Sequence, residues 1–105
     1  MIVSKSEFRG LVNRLKEFCP PAFPVDARLV SNLRDCYGYC ELLKVPKSKF
    51  RIRVYNQLSD VAAKHILYHE WAHALSWTME NQRYLDHSPE WGLAMSRIWQ
   101  ELEEL

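Results

Sequence analysis

The sequence has little of what usually marks an exported, membrane-bound or nucleic-acid-coating protein. No apolar run is long enough to cross a bilayer. The N-terminal stretch, residues 1–18, is broken by charged residues and has no apolar signal segment. Both absences point to a soluble, cytoplasmic protein with no membrane partner. Charge of either sign is nearly cancelled, with 14 Lys and Arg against 13 Asp and Glu for a net +1. No global field therefore calls for a nucleic-acid or membrane surface. Cysteine is scarce and odd in number: Cys19, Cys36 and Cys40 are expected as free thiols. No second Cys or Cys/His pair completes Cys36 and Cys40 into a zinc knuckle. If residues 36–40 are extended, both thiols fall on one face as small buried hydrophobes. Repeats, linkers and low-complexity segments are also missing, so residues 1–105 are expected to form one domain and to act as a monomer.

What remains is 48% hydrophobic and strongly patterned. Ser4 and Glu7 have the spacing of a capping box. Phe8, Leu11, Val12, Leu15 and Phe18 follow at helical period, and Pro20 and Pro21 stop the helix, which is expected over residues 5–18. Residues 25–30 are a candidate first strand and residues 37–43 a second, with Gly38 marking a bulge or a close backbone approach. Phe50, Ile52 and Val54 alternate with Arg51, Arg53 and Tyr55, the clearest strand signal in the chain. The second and third strands are expected to form an antiparallel hairpin. Lys47, Lys49, Arg51 and Arg53 share the polar face of the third strand, which reads first as a solvated face guarding a sheet edge and only second as a cationic patch for nucleic acid or an acidic peptide. Ser59 or Asp60 caps a helix over residues 61–79, apolar around most of its circumference and so central. Ser88-Pro89-Glu90 has the form of a second helix start, with Arg97 and Glu101 as an i,i+4 pair on its wet side.

The central helix carries His69-Glu70-Trp71-Ala72-His73. Residues i and i+4 lie one above the other on a helix, so both imidazoles can reach one zinc ion. Glu70 is then beside the metal, where it can take a proton from water. A catalytic zinc typically has three protein ligands and one open position. Asp86, His87 and Glu90 are candidates for the third ligand; His87 is favoured, Glu90 is second, and Asp86 suits an acceptor behind a ligand histidine. The longer metzincin pattern is excluded, because Ser76 and Met79 occupy its glycine and third-histidine positions. His65, one turn before His69, could add a ligand or support one, but reads first as a solvated or core histidine.

The strand over residues 50–56, His69-Glu70-Trp71-Ala72-His73-Ala74 and His87-Ser88-Pro89-Glu90-Trp91 together resemble the SprT-like (Spartan-type) zinc metallopeptidases. Those proteins have an HExxHA helix and a later HGxxW- or HGxxF-type segment. The resemblance covers roughly residues 37–99, and here Ser88 stands where the family has glycine. It implies zinc on His69, His73 and His87, Glu70 as the general base, and a peptidase core without the zinc ribbon or DNA-binding region many members carry. A core of this size suits a phage or bacterial accessory protein.

The expected fold is α+β and zincin-like: an N-terminal helix, a small three-stranded antiparallel sheet, the HExxH helix and a C-terminal helix. The expected function is zinc-dependent hydrolysis of peptide bonds, with a protein or peptide substrate lying along an exposed strand, the third being preferred. Tyr37, Tyr39 and Tyr84 are candidate oxyanion donors. Three alternatives stand beside this reading: a non-catalytic, zinc-stabilised module binding protein or nucleic acid, a metal-free helical interaction protein, and a hydrolase acting on a non-peptide bond.

Overall fold

A computed structural model of the chain describes residues 1–77 and 88–104. The elements follow in the order α1 (Lys5–Phe18), β1 (Val25–Val30), β2 (Gly38–Leu43), β3 (Lys49–Tyr55), α2 (Asp60–Leu75) and α3 (Pro89–Leu102). Helix α1 begins as its sequence dictates. The Glu7 N–H donates to Ser4 Oγ at 3.0 Å, and the Ser4 N–H donates to Glu7 Oε1 at 3.3 Å. Phe8, Val12 and Leu15 form its buried stripe, and the chain turns away at Cys19 and Pro20.

The sheet has the order β1-β3-β2, with β3 in the middle. Strand β3 pairs antiparallel with β2 and parallel with β1, so the sheet is mixed where an antiparallel one was expected. The physical reason lies in β3. Phe50, Ile52 and Val54 are all but fully buried on one face, and the strand best able to fill a core takes the central position. Alternation reports which face a residue occupies; it carries no information about which strand lies alongside.

The charged face of β3 is matched by its neighbours. Arg51 lies 3.4 Å from Glu41 on β2, and Arg53 lies 3.4 Å from Asp26 on β1. Lys49 is 4.0 Å from the same Asp26, while Lys47 is exposed ahead of the strand. On the central strand there is no edge for them to guard, and Arg53 keeps only 12% of its side chain exposed.

Helix α2 lies across the other face of the sheet, against β2 and β3, with α1 and α3 beside it. Ala63, Leu67, Tyr68, Trp71, Ala72 and Ala74 are buried, which explains its nearly unbroken apolar surface. The Trp71 indole N–H donates to the Cys19 carbonyl at 2.8 Å, fastening α2 to the end of α1. The helix ends at Leu75, short of the expected extent, and Met79 lies outside the described residues. At that end the Ser76 hydroxyl donates back to the Ala72 carbonyl at 2.8 Å, and Trp77 packs edge-on to Phe50 with centroids 5.7 Å apart. Helix α3 starts on the Ser88 cap with Pro89 behind it, as the sequence requires. Arg97 donates to the Phe18 carbonyl at 3.2 Å instead of pairing with Glu101.

All three cysteines are free thiols. Cys19 is buried and Cys40 half-buried, but Cys36 is exposed because β2 begins only at Gly38, so the two thiols do not share a strand face. Among the described residues, no helix is long and apolar enough to cross a membrane.

Candidate metal centre

Helix α2 brings His69 and His73 together as their spacing demands. Their Nε2 atoms are 3.3 Å apart, and their rings meet at 70° with centroids 4.9 Å apart. Two nitrogens each about 2.0–2.1 Å from one ion at a tetrahedral angle lie about 3.3–3.4 Å from each other. The two imidazoles therefore have the spacing of adjacent ligands on a tetrahedral zinc. The same distance is also within reach of a hydrogen bond between the two ring nitrogens when one of them carries a proton.

Glu70, the next residue, is 9% exposed and faces the N-terminal end of β2. Gly38 makes that approach possible. A Cβ placed there would come within 2.5 Å of Ile66 Cγ2 and 3.6 Å of Glu70 Cγ. The strand thus walls one side of the carboxylate because it has no side chain at this point.

Helix α3 closes the other side through Trp91. Its indole N–H donates to the His69 carbonyl at 3.2 Å. The Trp91 ring lies 5.1 Å from the His69 ring and 5.8 Å from the His73 ring, centroid to centroid. From the sequence, Trp91 is the aromatic that closes the HGxxW-type segment, with no contact to the two histidines assigned to it. Nearby on β2, burial pushes the Cys40 thiol well above its ordinary range, with Glu70 and Glu41 adding to the shift. Without a metal, Cys40 is thus an uncharged thiol beside Glu70.

Of the predicted third ligands, His87 and Asp86 lie outside the described residues, as does Tyr84. Glu90 is exposed in the first turn of α3 and borders a separate groove with Trp77, Leu93 and Arg97. Among the described residues, no Asp, Glu or Cys joins His69 and His73 in a three-membered group. His65 is exposed and sits edge-on to Trp99 with centroids 5.6 Å apart, apart from the pair. Tyr39 pairs with Arg53 and by alternation takes the sheet face turned away from α2. Tyr37 is 61% exposed, ahead of β2, with its ring 6.4 Å from that of Tyr55.

A sequence model of the SprT-like family matches residues 7–105. The chain belongs to the SprT-like family. As a SprT-like chain it is a metallopeptidase-like domain at family level, in a family generally associated with zinc. No curated protein and no solved structure matches the chain significantly.

Proposed function

We propose that this SprT-like chain is a zinc-dependent peptidase, with His69, His73 and His87 holding the metal and Glu70 as general base. The observation that carries the reading is the 3.3 Å separation of the His69 and His73 Nε2 atoms, the edge length of a tetrahedral zinc site. Zinc, when bound, supplies a Lewis acid that polarises a carbonyl and acidifies water. The chain's own residues do the rest. Glu70, walled by β2 and buried from bulk water, takes the proton of the attacking water and delivers it to the departing amine nitrogen. Trp91 holds the two imidazoles from the α3 side.

The substrate edge is β2, not β3. Strand β3 is hydrogen-bonded on both sides and offers no edge. The Tyr55 N–H bonds to the Tyr37 carbonyl, and in this antiparallel register Tyr39, Glu41 and Leu43 turn their backbone groups toward β3. Gly38, Cys40 and Leu42 turn theirs outward, and Gly38 lies beside Glu70. An extended peptide added antiparallel to that edge passes the carboxylate.

Metal content and turnover on an unfolded protein substrate test the proposal together. The wild type is expected to hold one zinc per chain and to cleave. Glu70→Gln should keep the zinc and lose about 10²–10⁴-fold in turnover, and a His69→Ala/His73→Ala variant should lose both. Zinc without Glu70-dependent cleavage would indicate the non-catalytic, zinc-stabilised binding module instead. A wild type that binds no zinc would overturn both readings.

A further inference from the structure

The edge of the sheet opposite the candidate site is also open. Strand β1 pairs only with β3. The Phe50 N–H bonds to the Pro24 carbonyl and the Asn56 N–H to the Val30 carbonyl. In the parallel register between these bonds, Asp26, Arg28 and Val30 turn their backbone groups toward β3. Ala27 and Leu29 turn theirs outward, where no hydrogen bond among the described residues takes them up. Both residues line a groove of about 410 Å³ between β1 and α1.

The charged residues lining that groove are Lys5, Arg9, Lys16 and Arg28; among the described residues no carboxylate lines it. Lys5, Arg9 and Lys16 are exposed, recur along one side of α1 and make no ion pair among the described residues. Arg28 alone has a partner, Asp26 at 2.9 Å. Phe8 and Val12, both buried, form an apolar floor. From Lys5 to Lys16 the helix rises about 16 Å, the length of about five extended residues. In a chain whose net charge is only +1, this is a local concentration of positive charge.

We infer that the α1–β1 groove docks an acidic, extended peptide segment of a partner protein, which adds as a strand to β1 while its carboxylates meet Lys5, Arg9 and Lys16. The unpaired backbone groups decide between peptide and nucleic acid. A polyanion held by charge alone has no use for the Ala27 and Leu29 N–H and C=O groups, whereas a strand is held by them and is set in register by them. The groove lies across the sheet from Glu70, so docking here leaves β2 and the candidate metal centre uncovered. The inference does not rest on the peptidase reading.

Fluorescence anisotropy with a labelled ten-residue peptide of alternating Glu and Val tests it, beside the Lys-for-Glu peptide and a 15-nucleotide oligodeoxythymidylate. The acidic peptide is expected to bind, and the basic one not. Arg9→Glu/Lys16→Glu, at exposed positions, should weaken binding by about tenfold or more. Ala27→Pro removes an outward N–H without touching the ladder and should weaken it comparably. Amide exchange supplies the readout that needs no variant: the Ala27 and Leu29 amides of the wild type should slow when peptide is added. No binding at low salt, binding indifferent to the charge reversal, or unslowed Ala27 and Leu29 amides would each overturn the inference. Tighter binding of the oligonucleotide than of the peptide would make the groove a phosphate-backbone site, which also overturns it.

Discussion

Trp91 shapes the candidate site without supplying any of its chemistry. One indole makes three contacts there: an N–H donated to the His69 carbonyl at 3.2 Å, and its ring against both imidazoles. A metal ligand is only as good as the grip on its orientation, and outer partners of ligand histidines typically contribute about 10–100-fold in metal affinity. Trp91→Phe keeps an aromatic ring and deletes the donor. Zinc affinity, measured by competition with a chromophoric chelator, should fall by about tenfold or more, while the far-ultraviolet circular dichroism stays that of the wild type. An affinity unchanged by Trp91→Phe would mean that the indole is packing material only. At this scale the sequence was informative where the chemistry is local. The His69 and His73 pair follows from helical period alone, and the structure gives it ligand spacing. The Trp91 contact was not legible, because it depends on the angle at which α3 meets α2, and no periodicity within α3 encodes that angle.

Between elements, the contact that sets the site is β2 against α2, and it turns on one glycine. A Cβ on Gly38 would meet Ile66 Cγ2 at 2.5 Å and the Arg53 carbonyl oxygen at 3.0 Å. Neither neighbour yields easily: Ile66 is β-branched and stiff at χ1, and the carbonyl belongs to the central strand. Gly38→Ala should therefore push β2 off α2. It is expected to cost about 1–3 kcal/mol of stability, read as a lower midpoint in urea with an unchanged slope. An unchanged midpoint would show that the strand has slack here. Sequence reasoning left a bulge and a close approach open at this position, and the unbroken β2–β3 register decides for the approach. Helix starts were legible to within a residue: Ser4 and Ser88 cap as expected, and between Ser59 and Asp60 it is Ser59 that accepts a bond from the first turn, with α2 beginning at Asp60. Strand order was not, and the consequence reached function: the preferred substrate edge moved from β3 to β2 once β3 proved central.

Across the whole molecule, two carboxylates tie distant segments together, and both make stability depend on pH. Glu103, just beyond α3, accepts from Lys64 Nζ at 2.7 Å and from the Tyr68 hydroxyl at 2.8 Å, locking the end of α3 to α2. The Lys64 ammonium lowers its pKa most; burial pushes the other way, and the Tyr68 hydroxyl lowers it further. Asp26 joins β1 to β3, and there burial raises the pKa but the Arg53 and Arg28 guanidiniums outweigh it and leave it below the ordinary value. A carboxylate whose pKa is lower folded than unfolded binds fewer protons in the native state. Its contribution is fully present above the unfolded value of about 4 and is lost as pH falls through the folded one. The wild type should thus hold its melting temperature from pH 7 down to about pH 5 and lose it progressively below. Glu103→Gln should melt lower than the wild type at pH 7, because Lys64 loses its counter-charge. It should also fall less steeply between about pH 5 and pH 3, because one titrating tie is gone. Thermal melts of both proteins across that range check the sign as well as the size: parallel curves would place the acid sensitivity elsewhere in the fold.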